Sequence, residues 1–270
     1  IVMSGDLLTE FNIKEALDFH LRKKSQATIL LTRVEAPLQY GIVITNSEGR
    51  ITRFLEKPSW GEVFSDTINT GIYIIEPEVM KLIPYQQEFD FSKDLFPLML
   101  RNKLPLYGFI ASGYWKDVGN LNEYQRGQQD ALHGALKLKF KGTKKGNLYI
   151  GKNSVISPSV KLKGTVVVGD NTTIGDYTEI TDSVIGNNVR IGMGTRLKGS
   201  TIWDNVKIGN FSELNDDVVC NDCSIGDSVT ISENVFISVG CSIGNKAVLL
   251  PNIKLWPMKH VEEGARLSRS

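Results

Sequence analysis

Asp6, Glu56, Lys57, Asn69, Thr70 and Asp117 are the residues of the first half whose types and settings bear on chemistry. Ile1-Val2-Met3-Ser4-Gly5-Asp6 reads as the end of a buried parallel strand closed by a glycine and a carboxylate. In open α/β sheets ligands bind outside the carboxyl ends of such strands, which aims Asp6 into a crevice. Asp117, within Trp115-Lys116-Asp117-Val118-Gly119, follows another expected strand at the same sheet edge, so the two carboxylates are placed to converge although distant in sequence. Glu56-Lys57-Pro58 sets an acid and a base at a strand end, and Asn69-Thr70-Gly71 opens a further strand. Each piece alone also has an ordinary structural reading, as a turn or cap for either aspartate and as a solvated strand terminus for Glu56-Lys57.

Cys220-Asn221-Asp222-Cys223 has the spacing of a metal or redox pair. Cys220, Cys223 and Cys241 nevertheless all fall in inward-facing rows of the repeat described below. No histidine lies between residues 150 and 259 to complete a tetrahedral site, so these cysteines read as packing residues.

The elements that position the first group alternate between strand and helix. Asn12, with Glu15 three residues later, caps a helix to Lys24 whose apolar face is Ile13, Ala16, Leu17 and Leu21, with His20 beside it as a partly buried helix residue. Strands follow at 27–34 and 40–45, the latter joined through Asn46-Ser47-Glu48-Gly49 to Ile51-Thr52-Arg53-Phe54-Leu55 as a hairpin. A strand at 68–75, a short helix at 77–83, a helix capped by Ser92, a strand at 104–110 and a helix capped by Asn120 complete the half. That alternation predicts an α/β domain with a mostly parallel sheet.

From Ile150 to Leu255 an aliphatic residue recurs every six positions with occasional steps of five, through Val168, Ile174, Ile180, Ile185 and onward, Cys220 alone departing from the type. From Ser154 to Ile253, two residues before each such position stands Ser, Thr, Val, Cys, Ala or Ile, and turn residues such as Gly169-Asp170-Asn171 and Gly226-Asp227 lie between. This is the hexapeptide signature of a parallel β-helix, in which each coil of three short strands buries its aliphatic row on its neighbours. The repeat predicts about six coils and, at ~4.8 Å per coil, a prism roughly 30 Å long. Its open strand edges need a cover, and an end-to-end prism favours a homo-oligomer.

The 270 residues suffice for two cores, and the net charge of +1 with evenly mixed acids and bases implies neither a nucleic acid nor a membrane surface as partner. With no apolar run of spanning length and no signal segment, a cytoplasmic protein is expected. The lysines at 137, 139, 141, 144 and 145 mark a solvated linker. The expected division is 1–133 as the α/β domain, 134–147 as linker, 148–257 as β-helix and 258–270 as tail. Beginning with Ile inside an apolar run, the chain is expected to start partway through a strand.

Ser4-Gly5-Asp6, Tyr40-Gly41-Ile42-Val43, Phe54-Leu55-Glu56-Lys57-Pro58, Asn69-Thr70-Gly71-Ile72-Tyr73 and Trp115-Lys116-Asp117-Val118-Gly119, in this order and ahead of a hexapeptide β-helix, resemble the sugar-1-phosphate nucleotidylyltransferases. Within them the chain is most similar to the mannose-1-phosphate guanylyltransferase branch, some bacterial forms of which carry a phosphomannomutase-like module after the β-helix; Leu255-Trp256-Pro257-Met258-Lys259 is also similar to that branch. The resemblance implies a partial Rossmann-like domain followed by a left-handed β-helix. It implies that Asp6 and Asp117 hold a catalytic Mg2+, that Lys57 contacts the sugar phosphate, and that Glu56 and Asn69 hydrogen-bond sugar hydroxyls, with backbone around Gly41 and Thr70 lining the pocket. The family's glycine-rich loop, G-G-x-G-T-R-x-x-P, belongs before Ile1, and without it this chain by itself is expected to be inactive.

The chemistry suits those residue types. A sugar 1-phosphate is already an anionic nucleophile, so its attack on a nucleoside triphosphate needs no general base, and the barrier lies in bringing anions together in line. Two carboxylates holding a divalent ion, with a lysine on the incoming phosphate, answer that barrier. The leading expectation is transfer from GTP to mannose 1-phosphate, giving GDP-mannose and pyrophosphate. A non-catalytic regulatory or assembly subunit of the same architecture and a glucose-1-phosphate enzyme are the alternatives. Acyl transfer by the β-helix is disfavoured because only His260 lies near it, beyond the expected last coil.

Overall fold

The computed structural model describes residues 1–56, 59, 61 and 65–268. The chain divides into two compact units, Ile1–Gly119 and Asn120–Ser270. The helix Leu121–Leu132, expected in the first domain, thus groups with the coiled part.

The first unit is built in chain order from β1 (Val2–Met3), β2 (Leu7–Thr9), α1 (Ile13–Lys23), β3 (Ala27–Arg33), β4 (Gly41–Thr45), β5 (Ile51–Glu56), β6 (Thr67–Ile75), α2 (Pro77–Met80), α3 (Phe96–Arg101), β7 (Leu106–Ile110) and β8 (Trp115–Asp117). Its main sheet has the order β5-β4-β6-β3-β7, with β1 also on β6. β3 and β7 pair in parallel, and the other pairs of this sheet are antiparallel. The parallel pair expected from strand-helix alternation is therefore the one spanning α2 and α3, while the tight Asn46–Gly49 turn makes β4 and β5 antiparallel neighbours. Side chains alternate along β3, so that Ile29 and Leu31 join Phe96 and Met99 of α3 on one face while Leu30 joins Ala16 of α1 on the other.

Local signals account for most boundaries. Asn12 Oδ1 accepts from the Glu15 N–H while its own amide donates to Glu15, a reciprocal cap that starts α1. The stripe α1 buries runs through Ala16 and His20, and Leu17 and Leu21 face outward, contrary to the apolar-face expectation. His20 takes the inward position because both ring nitrogens are engaged, at 2.8 Å from Thr28 Oγ1 and 3.0 Å from Glu76 Oε1. The cap at the helical segment after residue 90 is Asp90, whose Oδ1 accepts from the Ser92 and Lys93 N–H groups, and not Ser92. The hydroxyl of Ser92 is thereby released for another use.

In the second unit α4 (Leu121–Leu132), capped by Asn120, precedes β9 (Thr143–Lys145) and β10 (Leu148–Ile150). Three parallel sheets follow, whose strands recur as Val166–Val168, Thr173–Ile174 and Glu179–Thr181, coil upon coil. Among the described residues each face contributes seven stacked strands, giving seven coils and not six. The extra coil is made by the segment expected as a tail: His260–Val261 pairs with Ser242–Ile243, and Arg266–Leu267 with Val248–Leu249. At the other end β9, expected as linker, runs antiparallel on β10 and covers that strand edge. α4 rests on the coils through Gln129, which donates to the carbonyls of Asp182 and Gly199, and through Tyr124, whose hydroxyl accepts from Trp203 Nε1.

The aliphatic row is buried throughout the central coils, each such side chain contributing about 1.5–3 kcal/mol. One step differs from the sequence count: Val219, not Cys220, is the inward residue, in register with Ile202 and Ile237. Moving the step back by one residue puts Asp217 into the small-residue row, fully buried. At one corner Asn153, Asn171, Asn188 and Asn205 all adopt positive φ and pass side-chain hydrogen bonds upward to Asp222. Asparagine both tolerates this conformation and satisfies itself on the next coil. Cys223 and Cys241 lie inward and buried, their thiols donating to the carbonyls of Ser238 and Trp256.

Candidate functional site

The candidate site is a polar cavity of about 210 Å³ in the first unit. Asp6, Gly41, Glu56, Asn69, Thr70 and Asp117 all line it, together with Ser4, Tyr40, Ser92 and Trp115. Lys57, expected to meet the sugar phosphate, lies outside the described residues.

A second, two-stranded sheet brings the aspartates together. β2 and β8 pair antiparallel with Leu7 opposite Asp117, and the Val118 N–H donates to the Asp6 carbonyl at 2.9 Å. Ser4 Oγ donates to Asp6 Oδ1 at 2.6 Å, and the Gly119 N–H donates to Asp117 Oδ1 at 2.9 Å. Each carboxylate is oriented by a neighbour on its own segment. Among the described residues no group of three or more His, Cys, Asp or Glu side chains gathers as a metal cage. Two carboxylates on an open polar cavity fit a hard cation such as magnesium, whose remaining ligands are water and substrate phosphate oxygens.

The opposite wall depends on two glycines. Gly41 is in register with Glu56, and a Cβ there would lie 2.7 Å from Glu56 Oε2 and 3.0 Å from Phe54 Cζ. A side chain there would push that carboxylate out of its present position. Gly71 has φ +78°, at a register shift where β6 gains residues against β3 between Ile29 and Leu31. This bulge aims Asn69 and the backbone of Thr70 at the cavity and ends the run in which β1 pairs with Tyr73 and Ile72. The Thr70 hydroxyl turns inward to the Leu30 carbonyl at 2.7 Å, and its own carbonyl accepts from Trp115 Nε1 at 3.1 Å. Trp115 also packs edge-on against Tyr40 at 5.6 Å, so the indole ties the β6 bulge to the strand carrying Asp117.

Asn69 is more occupied than a ligand-binding amide needs to be. Its Oδ1 accepts from the Gly71 N–H at 3.0 Å, which fixes the amide orientation because only oxygen can face that donor. Its Nδ2 then donates to Tyr73 OH at 3.0 Å and Ser92 Oγ at 3.1 Å. Burial raises the Tyr73 phenol above its ordinary value, opposed by the Asn69 and Ser92 contacts, so it stays neutral. Ser92 was legible only as a cap; the stronger cap at Asp90, two residues earlier, is the signal that frees it.

Residues 1–134 match the family described as nucleotidyl transferase, and residues 145–249 match the EIF2B subunit epsilon LbH domain, a left-handed β-helix. A UTP–glucose-1-phosphate uridylyltransferase of Synechocystis is 34% identical over 189 residues, 67% of this chain and 48% of that protein. A mannose-1-phosphate guanylyltransferase of Mycobacterium tuberculosis is 31% identical over 185 residues, covering 68% and 51%. The mannose-1-phosphate guanyltransferase of Saccharomyces cerevisiae is 33% identical over 162 residues, covering 59% and 44%. The chain spans about half the length of these relatives. Among the described residues no helix is long and apolar enough to cross a membrane. With the motifs, the cavity and both matched regions in the same order, the chain carries a domain of the nucleotidyl transferase family ahead of a left-handed β-helix domain.

Proposed function

We propose that this chain supplies the sugar-phosphate side of a nucleotidylyltransferase that joins mannose 1-phosphate to GTP, forming GDP-mannose and releasing pyrophosphate. The convergence of Asp6, Asp117 and Glu56 on one cavity carries the reading. Asp6 and Asp117 would hold magnesium, which when bound offsets the charge of the approaching phosphates. The chain's own groups do the positioning. Glu56, seated over Gly41, accepts from a sugar hydroxyl; the Thr70 backbone, held by Trp115, shapes the floor; and Lys57, directly after Glu56, meets the sugar phosphate. The sugar phosphate oxygen attacks the α-phosphorus, and the bond to the pyrophosphate oxygen breaks, with no proton to be removed.

The test is product formation by the native protein from each nucleoside triphosphate with mannose or glucose 1-phosphate, read by phosphorus NMR. Asp117→Asn is expected to lower turnover on the order of 100-fold or more with the fold intact; normal turnover in that variant removes Asp117 from the mechanism. Uridylyl transfer to glucose 1-phosphate is the second reading, favoured by the uridylyltransferase among the similar proteins. A regulatory subunit is the third, and it requires that the native protein make no nucleotide sugar and bind GTP with magnesium weakly. The β-helix is assigned to assembly; a strict monomer in light scattering would count against that role.

A further inference from the structure

We propose that Ser92 is a direct sugar contact of this site and that Asn69 is the residue that positions it. The inference rests on the sugar-phosphate reading of the cavity and deepens it. A chain of hydrogen bonds runs from the Gly71 N–H to Asn69 Oδ1 and from Asn69 Nδ2 to Ser92 Oγ, at 3.0 and 3.1 Å. Both Asn69 amide protons are spent inside the protein, on Ser92 and on Tyr73. Asn69 therefore has no proton left for a ligand.

Ser92 is the end of that chain. Its oxygen accepts from Asn69, its backbone N–H is taken by the Asp90 cap, and it lines the cavity. The other Asn69 amide proton goes to the Tyr73 hydroxyl, so Ser92 and Tyr73 share one donor group. With its oxygen accepting from Asn69, the hydroxyl keeps its own proton for the cavity it lines. Successive polarisation along such a chain strengthens the terminal donor. The ligand atom it meets must be an acceptor, and in a sugar 1-phosphate that is a ring hydroxyl oxygen. Glu56, an acceptor lining the same cavity, reads hydroxyl protons. A donor and an acceptor so placed discriminate the orientation of a hydroxyl, which is what separates epimeric sugars.

The experiment is steady-state kinetics of the native protein carrying Ser92→Ala, Ser92→Thr, Asn69→Ala and the Ser92→Ala/Asn69→Ala pair. Ser92→Ala is expected to raise KM for the sugar 1-phosphate roughly 2- to 10-fold, with kcat and the KM for the nucleoside triphosphate unchanged. Ser92→Thr keeps the hydroxyl and restores the wild-type KM. Asn69→Ala raises the KM at least as much, since it also releases the Gly71 N–H and Tyr73, and the double variant falls short of the product of the two single effects because both act on one hydroxyl. Since Asp90 supplies the cap, Ser92→Ala leaves the helical segment folded. Unchanged KM in Ser92→Ala, or additive effects in the double variant, overturns the inference. A wild-type protein that turns over no sugar 1-phosphate overturns the underlying reading instead, and is told apart by that control alone.

Discussion

Asp217 should be a liability whose removal stabilises the β-helix. It sits in the small-residue row, fully buried, and neither carboxyl oxygen has a hydrogen-bond partner among the described residues. Ser200 in the coil below is near, but its hydroxyl donates to the carbonyls of Lys198 and Leu214. Burial raises the carboxyl well above its ordinary 3.8, Asp216 adds to the rise and Ser200 opposes it. In the unfolded chain the same group titrates near 3.8. Between the two values the folded state keeps a proton that the unfolded state has lost. Stability is therefore full below about 3.8 and declines as pH rises toward the folded value. Asp217→Val places in this row the residue type that Val235 supplies one coil later. Relief of an unsatisfied buried polar group is worth about 1–3 kcal/mol, and for a domain of this size each kcal/mol moves Tm by about 2–4 °C. Thermal unfolding at pH 5 and pH 8 should show the variant more stable at both, with the larger gain at pH 8. Asp217→Asn should flatten the pH dependence but recover less stability, since an amide is left in the same place. A valine variant less stable than wild type at pH 8, or a wild-type midpoint that does not fall from pH 5 to pH 8, would refute the reasoning.

Other perturbations test other parts of the fold. Gly41→Ala forces its methyl against Glu56 Oε2 and the Phe54 ring, so sugar-phosphate affinity should fall severalfold and stability by about 1–3 kcal/mol, measured by calorimetry and denaturant unfolding. Asp6→Asn should weaken activation of turnover by magnesium, raising the half-saturating concentration on titration; an unchanged magnesium dependence would remove Asp6 from the site. Cys223 is buried and its thiol is raised to about 11, chiefly by burial, so it should resist a thiol reagent at pH 8 until the β-helix unfolds. His20→Ala strands Thr28 and Glu76 and opens a buried space, with an expected loss of about 2–4 kcal/mol by chemical denaturation.

What could be read in the sequence was what has a period or a local rule. The hexapeptide row fixed the coils, yet the register slipped at Val219 because Val218, Val219 and Cys220 are all acceptable inward residues by type. Pairing with Ile202 and Ile237 decides among them, and that is a property of neighbouring coils. The last coil keeps the same period: Val261 and Leu267 follow Leu255 at steps of six, and stacking on Ser242–Ile243 and Val248–Leu249 makes strands of the polar-flanked pairs His260–Val261 and Arg266–Leu267. In the first unit the motifs named the lining residues but not their bonds. Asn69 and Ser92 lie 23 positions apart and meet because the β6 bulge and the Asp90 cap turn both toward one cavity. Side-chain type says what a residue can donate or accept, whereas the fold decides which of those capacities is already spent. At this site it leaves the hydroxyl of Ser92, and not the amide of Asn69, as the donor that remains.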